Sequence, residues 1–194
     1  MRSAYDVGAE AGLRYTPSIV DGSMSTVAER TRQEVDAYTE EAADERPIAG
    51  YTAVGTAYLA AVAAAAAVTR RRGCRLPERV DPADIVLIGV ATHKLSRILS
   101  KAGVTSPLRV PFTRFQGRSG PAELKEEVRG TGVQRAVAEL ATCPFCLGQW
   151  VATGFAVGLV NAPRATRLVA SVFAALTVSD FLHLGYATCE RIAE

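Results

Sequence analysis

The chain has 194 residues, of which 48% are apolar and 22% charged, with a formal net charge of +2. So high an apolar share beside so many charges implies segregated blocks, and a charge this close to neutral excludes the basic footprint of a nucleic-acid-binding protein. Four cysteines in a chain of this length exclude a disulfide framework.

The blocks are plain in the sequence. Residues 49–69 and 140–163 carry no charge, and residues 168–189 carry only Asp180. About 20 predominantly apolar residues cross a bilayer, so three windows qualify. Ahead of them, residues 1–48 are polar and read as a mobile tail, with a surface helix over 24–42 where Val27, Val35 and Tyr38 recur among charges. The first apolar run begins too late for a cleaved leader and is expected to stay in the mature chain.

The first hydrophobic segment, residues 51–69, is alanine-rich and stops at Arg70-Arg71-Arg72. A soluble alanine-rich helix would carry a charged face, and this one has none. The second, residues 82–100, is apolar for only eight residues before His93, Lys94 and Arg97. It reads as a short span with Lys94 and Arg97 snorkelling to the headgroups, or as a helix lying in the interface.

Residues 101–142 form a polar loop with seven Lys/Arg against four Glu. Pro107 and Pro111 keep it from continuing as helix. A short helix is expected over 121–128, with Pro121 in its first turn, then a turn at Arg129-Gly-Thr-Gly132 and helix again from 133 to 140. Those two glycines follow no strand and precede no Lys-Ser/Thr pair, so a phosphate-binding loop does not fit.

The third segment, residues 143–160, carries Gly154 and Gly158, whose spacing gives a smooth stripe for close helix approach. The fourth, residues 168–186, follows a connection so short that the two must be antiparallel neighbours. The positive-inside rule places the 101–142 loop in the cytoplasm, whether or not residues 82–100 cross. His93, Lys94, Arg97, Arg109, Arg114, Glu139, Cys143, Cys146, Asp180, His183 and Cys189 then lie toward one membrane face.

At this point the motifs carry a resemblance. Ala91-Thr-His-Lys-Leu-Ser-Arg97, Val104-Thr-Ser-Pro-Leu-Arg-Val-Pro-Phe-Thr113, Glu139-Leu-Ala-Thr-Cys-Pro-Phe-Cys146 with Trp150, and Ser179-Asp-Phe-Leu182 resemble the bacterial membrane family catalogued as domain of unknown function 1360, which includes YjcA-like sporulation proteins. The resemblance covers roughly residues 49–188 and implies a small multi-span protein of the bacterial cell membrane with no established activity.

Cys143 and Cys146 admit three readings. Thiols one turn apart at a helix start suit redox chemistry, a Cys-x-x-Cys supplies half of a zinc site that Cys189 and His93 or His183 would complete, and small apolar packing behind a Thr142 cap needs neither. Asp180, with His183 at i+3, needs a partner inside a membrane, and Arg97 is the expected one; a proton or ion relay is the alternative.

The sequence therefore predicts an all-α integral membrane helical bundle of four hydrophobic segments, three firm spans and one short span or interfacial helix. The membrane domain covers residues 49–194 behind the 1–48 tail. The expected function is a structural or interaction protein of the membrane, with the lipid bilayer, a second copy or another membrane protein as partner. Arg97, Arg109, Arg114, Glu139, Trp150, Gly154, Gly158 and Asp180 would hold it together. The competing readings are a thiol oxidoreductase or metal-binding protein using Cys143 and Cys146, with Asp180 and His183 as further catalytic candidates, and then a small transporter component. No cofactor is expected beyond zinc at the cysteines.

Overall fold

A computed structural model describes residues 24–39 and 47–193. The chain divides into two units, Met1–Glu41 and Ala42–Glu194. The first contains α1, Met24–Thr39, which matches the expected surface helix and whose residues 26–34 are exposed. The rest of the expected tail, residues 1–23 and 40–46, lies outside the described residues.

The second unit is built on four long helices. α2 spans Ile48–Arg71, α3 spans Pro82–Lys101, α6 spans Pro144–Asn161 and α7 spans Pro163–Ala193. Each start is legible in residue chemistry. Asp81 caps α3 by accepting from the Ala83 N–H at 2.9 Å, with Pro82 in the first turn where its missing N–H costs nothing. Pro163 likewise opens α7 after the single residue Ala162, and the approach of Gly158 to Thr166 together with Phe155 and Ala170 in one core makes α6 and α7 antiparallel.

Contacts fix the remaining directions. Asp84 meets Arg167, Val90 meets Thr177 and Lys94 meets Asp180, so α3 runs parallel to α7 along its length. Tyr58 meets Thr153 and Thr69 meets Asn161, so α2 runs parallel to α6. The four helices thus alternate in direction, and the small apolar core formed by Ala91, Phe155 and Ala170 lies between α3, α6 and α7.

The surface is more apolar than this core. Leu59, Val172, Phe181 and Leu182 are all exposed, and protein buries only 6% and 11% of the most apolar windows of α2 and α7. Both helices are long and apolar enough to cross a membrane, and the bent pair of the helix Gly132–Thr142 with α6 makes a third crossing if it is one span. Helices that are apolar all round yet uncovered by protein point to a membrane environment. α3 does not join this set, because Asp84, Lys94 and Arg97 lower its lipophilicity.

Between α3 and α6 the loop corrects two expectations. Pro107 lies inside a single helical turn, α4, Ser106–Arg109, which follows a 3-10 turn at Gly103–Thr105 and ends before Pro111. Residues 121–128 are not a helix. They close and form the second arm of an antiparallel hairpin, β1 Thr113–Gly120 and β2 Glu123–Val128, so the fold is mostly helical with a two-stranded sheet instead of all-α. Pro121 and Ala122 make the turn, and Ala122 takes φ 59°. Proline fixes φ near −65° in a first helical turn and in the second position of a β-turn alike, so Pro121 could not distinguish the two.

The expected turn at 129–132 is present, with Gly130 at φ 92° and Gly132 at φ 54°; contrary to expectation a strand, β2, does precede it, but no Lys-Ser/Thr pair follows. It leads into α5, Gly132–Thr142. α5 and α6 meet at 79°. The cause is Pro144, which pushes the preceding residue out of the α region; Cys143 sits at φ −100°, ψ 108°.

Candidate functional site

The end of the bundle formed by the α3 C-terminus, the α6 N-terminus, the hairpin and Asp180 gathers most of the charges singled out in the sequence. Their partners are largely one another. Lys94 Nζ lies 2.5 Å from Asp180 Oδ2, and Arg97 donates to Glu123 Oε1 through Nε at 2.9 Å and Nη2 at 2.5 Å. The expected Arg97–Asp180 pair is therefore replaced by two others. Lys94 is the residue of α3 level with Asp180 on the parallel α7, while Arg97, one turn nearer the helix end, is level with the hairpin.

Arg109 is the centre of this region and is 1% exposed. Its Nε donates to Glu126 Oε2 at 2.5 Å, Nη1 to Leu99 O at 2.6 Å and to Thr105 Oγ1 at 2.8 Å, and Nη2 to Ala102 O at 3.0 Å. Leu99 and Ala102 belong to the last turn and cap of α3, whose carbonyls have no donor within the helix. One guanidinium thus satisfies the α3 C-terminus and anchors β2, a task for which the planar fork of arginine is suited and lysine is not. Arg114 is exposed on β1 opposite Glu127.

On the other side of this end, Glu139 accepts from the Tyr51 hydroxyl at 2.5 Å and from Arg135 Nε at 3.1 Å, joining α5 to α2. Trp150 packs edge-on against Tyr58 with ring centroids 5.1 Å apart. The Gly154 and Gly158 stripe is split in its effect. A Cβ at Gly158 would lie 2.6 Å from Thr166 Oγ1, whereas a Cβ at Gly154 would meet nothing within 4 Å. Gly154 instead borders an open apolar groove of about 370 Å³ shared with Leu95, Phe155 and Val169.

The cysteines sit at the bend. Cys143, not Thr142, caps α6: its Sγ accepts from the Cys146 N–H at 3.2 Å, while Thr142 Oγ1 bonds back to Ala138 O at 2.9 Å. Both thiols are free, Cys146 exposed and Cys143 half-buried. The zinc set expected from Cys143, Cys146, Cys189 and His93 is not assembled. Among the described residues no three His, Cys, Asp or Glu side chains converge as metal ligands. Cys189 is carried away along α7, about 13.5 Å beyond Asp180 by helical rise, and both it and His93 are exposed. His183 is likewise exposed on α7, outside the Lys94–Asp180 contact.

Sequence reading missed Glu123 and Glu126, because their roles depend on a hairpin that was read as helix. It also missed Asp84, which takes a two-pronged ion pair from Arg167 Nε and Nη2, each at 2.7 Å. A signal for that pair was present. Opposite charges stand in the first turns of two segments that alternation makes parallel.

Comparison with known proteins bears on the whole of this region. A family model described as "Protein of unknown function (DUF1360)" matches residues 87–186, just over half of the chain and narrower than the 49–188 expected, leaving α2 outside the match. The sporulation protein YjcA of Bacillus subtilis (strain 168) is 34% identical over 76 residues, which are 38% of this chain and 64% of that protein's own length. No solved structure matches. With most of α3, the hairpin, the cysteine bend and the first three-quarters of α7 inside the matched residues, the chain belongs to the DUF1360 family of proteins of unknown function.

Proposed function

We propose that the protein is a structural or interaction component of the bacterial plasma membrane, crossing the bilayer four times with the 101–142 loop in the cytoplasm. The observation that carries the fourth crossing is the parallel contact of α3 with α7 from Asp84–Arg167 to Lys94–Asp180. These contacts cover about 15 Å of α3 by helical rise, and the whole helix of 20 residues is about 30 Å long, enough to cross beside its neighbour. Its charges have partners for the same reason: Asp84, Lys94 and Arg97 are all paired, which is how charge is tolerated at membrane depth.

The same pairing favours a scaffold over a reactive centre. Arg97, Arg109, Glu123, Glu126, Glu139, Lys94 and Asp180 are each held by another charged side chain. A second copy of this chain or another membrane protein is the partner such a scaffold would take. Sporulation is said of the Bacillus subtilis relative, of which this chain matches 64%, and is not carried over.

A second reading rests on Cys146, an exposed free thiol one turn from Cys143 at a helix start, and makes the protein a thiol oxidoreductase. Two measurements decide. A reporter active only outside the cytoplasm should be silent when fused at Gly120 and active at Gly73; silence at Gly73 removes the fourth crossing. Thiol titration of the solubilised protein should give reduced thiols after equilibration across a glutathione redox series, with replacement of the exposed Cys146 by serine leaving the melting temperature unchanged. A Cys143–Cys146 disulfide forming reversibly in that series would replace the scaffold reading with the redox one.

A further inference from the structure

We propose that the cleft between the end of α3 and the hairpin binds the headgroup of an anionic phospholipid, an inference that rests on the reading that the bundle crosses a bilayer. The cleft measures about 420 Å³ and is lined by Ala102, Gly103, Val104, Arg118, Glu123 and Leu124 among others. It opens immediately beyond Ser100, where the apolar helix gives way to polar structure, which is headgroup depth for a spanning α3.

Its chemistry is that of an amphiphile's polar end. Val104, 83% exposed, and Leu124 supply apolar surface. Arg118 supplies the cation, and it makes no ion pair among the described residues. The one carboxylate of the lining, Glu123, is already neutralised by two hydrogen bonds from Arg97. Around the cleft the balance is the same. Glu126 is neutralised by Arg109, and Glu127, which accepts only from the uncharged Gln116 amide, keeps its charge, while Lys101, Arg114 and Lys125 have no carboxylate within ion-pair distance among the described residues. Lys101, Arg114, Arg118 and Lys125 therefore stand against the single uncompensated carboxylate of Glu127, which gives this face a local positive surplus that the small net charge of +2 conceals. Guanidinium beside exposed apolar surface fits a phosphodiester that carries acyl chains, and basic clusters next to a span attract anionic headgroups.

The test uses the full-length protein. Alkaline washing of membranes comes first: release of the protein would overturn the crossing itself, whereas retention leaves the cleft as the only question. The detergent-solubilised protein is then melted with added phosphatidylglycerol, phosphatidylcholine or inorganic phosphate. At about a hundredfold excess over Kd, phosphatidylglycerol should raise the melting temperature by roughly 5 to 10 °C, and the other two should not. Arg118→Ala should abolish most of that rise and Arg118→Lys retain part of it, while Arg164→Ala, at the opposite end of the bundle, should keep all of it. Val104→Glu, at a position too exposed to affect folding, should abolish the rise if Arg118→Ala cannot be purified. An equal rise with phosphatidylcholine or with inorganic phosphate would overturn the proposal, as would an undiminished rise in both Arg118→Ala and Val104→Glu.

Discussion

Arg109→Leu is the substitution expected to cost most. The side chains of Arg109 and Glu126 are 1% and 6% exposed, so removing the guanidinium strands a carboxylate in a buried site. Breaking such a pair costs about 3 to 5 kcal/mol. The change also removes the guanidinium bonds to Leu99 O and Ala102 O, each worth about 1 kcal/mol, and leaves both carbonyls to Thr105 alone. Adding Glu126→Leu should recover the charge contribution but not the carbonyls, leaving a deficit of about 2 kcal/mol. For a chain of this length 1 kcal/mol corresponds to about 2 to 4 °C. Arg109→Leu should therefore lower the melting temperature in detergent by at least about 10 °C, and the double variant by about 4 to 8 °C, with the double variant the more stable of the two. Arg109→Lys should fall between wild type and Arg109→Leu, because an ammonium cannot reach four acceptors in the geometry of the fork. Circular dichroism melts decide the matter. An Arg109→Leu protein melting within 2 °C of wild type, or a double variant no better than the single, would show that Arg109 does not hold the hairpin to α3.

Two further outcomes follow from named contacts. A double-mutant cycle between Lys94→Met and Asp180→Leu should show favourable coupling of about 1 kcal/mol, the upper end for a partly exposed pair, whereas Arg97→Leu and Asp180→Leu should be additive; the reverse pattern in detergent melts would restore Arg97 as the partner of Asp180. Gly50→Ala and Gly158→Leu should each destabilise by about 1 to 3 kcal/mol, since a Cβ at Gly50 would lie 2.5 Å from Gly132 O and one at Gly158 would meet Thr166, while Gly154→Ala should leave the melting temperature unchanged.

The helical part of the fold was legible because its signal is local. Uncharged runs of the right length and prolines in first turns dictate where α2, α6 and α7 lie, and a short connection after the third segment how the last two run, although the turn expected over 161–167 shrinks to Ala162 because Pro163 opens α7. The hairpin was not legible for a physical reason. A half-buried strand announces itself by alternation of apolar and polar residues, and β2 alternates Leu124, Glu126 and Val128 on its less exposed side. Glu126 occupies an inward position only because Arg109 waits there, so the pattern is broken in sequence and whole in structure. Pro121 then supplied a false helical start.

The polar face shows how far position and pairing are separate problems. Helix direction brings Lys94, Arg97, Glu139 and Asp180 to one end, and direction could be read from charge and segment length. Which cation meets which carboxylate depends on rotational phase and on the register of a hairpin, neither of which a run of apolar residues encodes. The cysteines carry the same lesson. Pro144 forces Cys143 into an extended conformation, that conformation ends α5 and starts α6, and the cap falls to the residue at the break, which is Cys143 and not Thr142. The placement of Cys143 and Cys146 at a 79° bend is therefore explained by the proline between them. A redox role has to be argued from what the thiols do, since their position already has a cause.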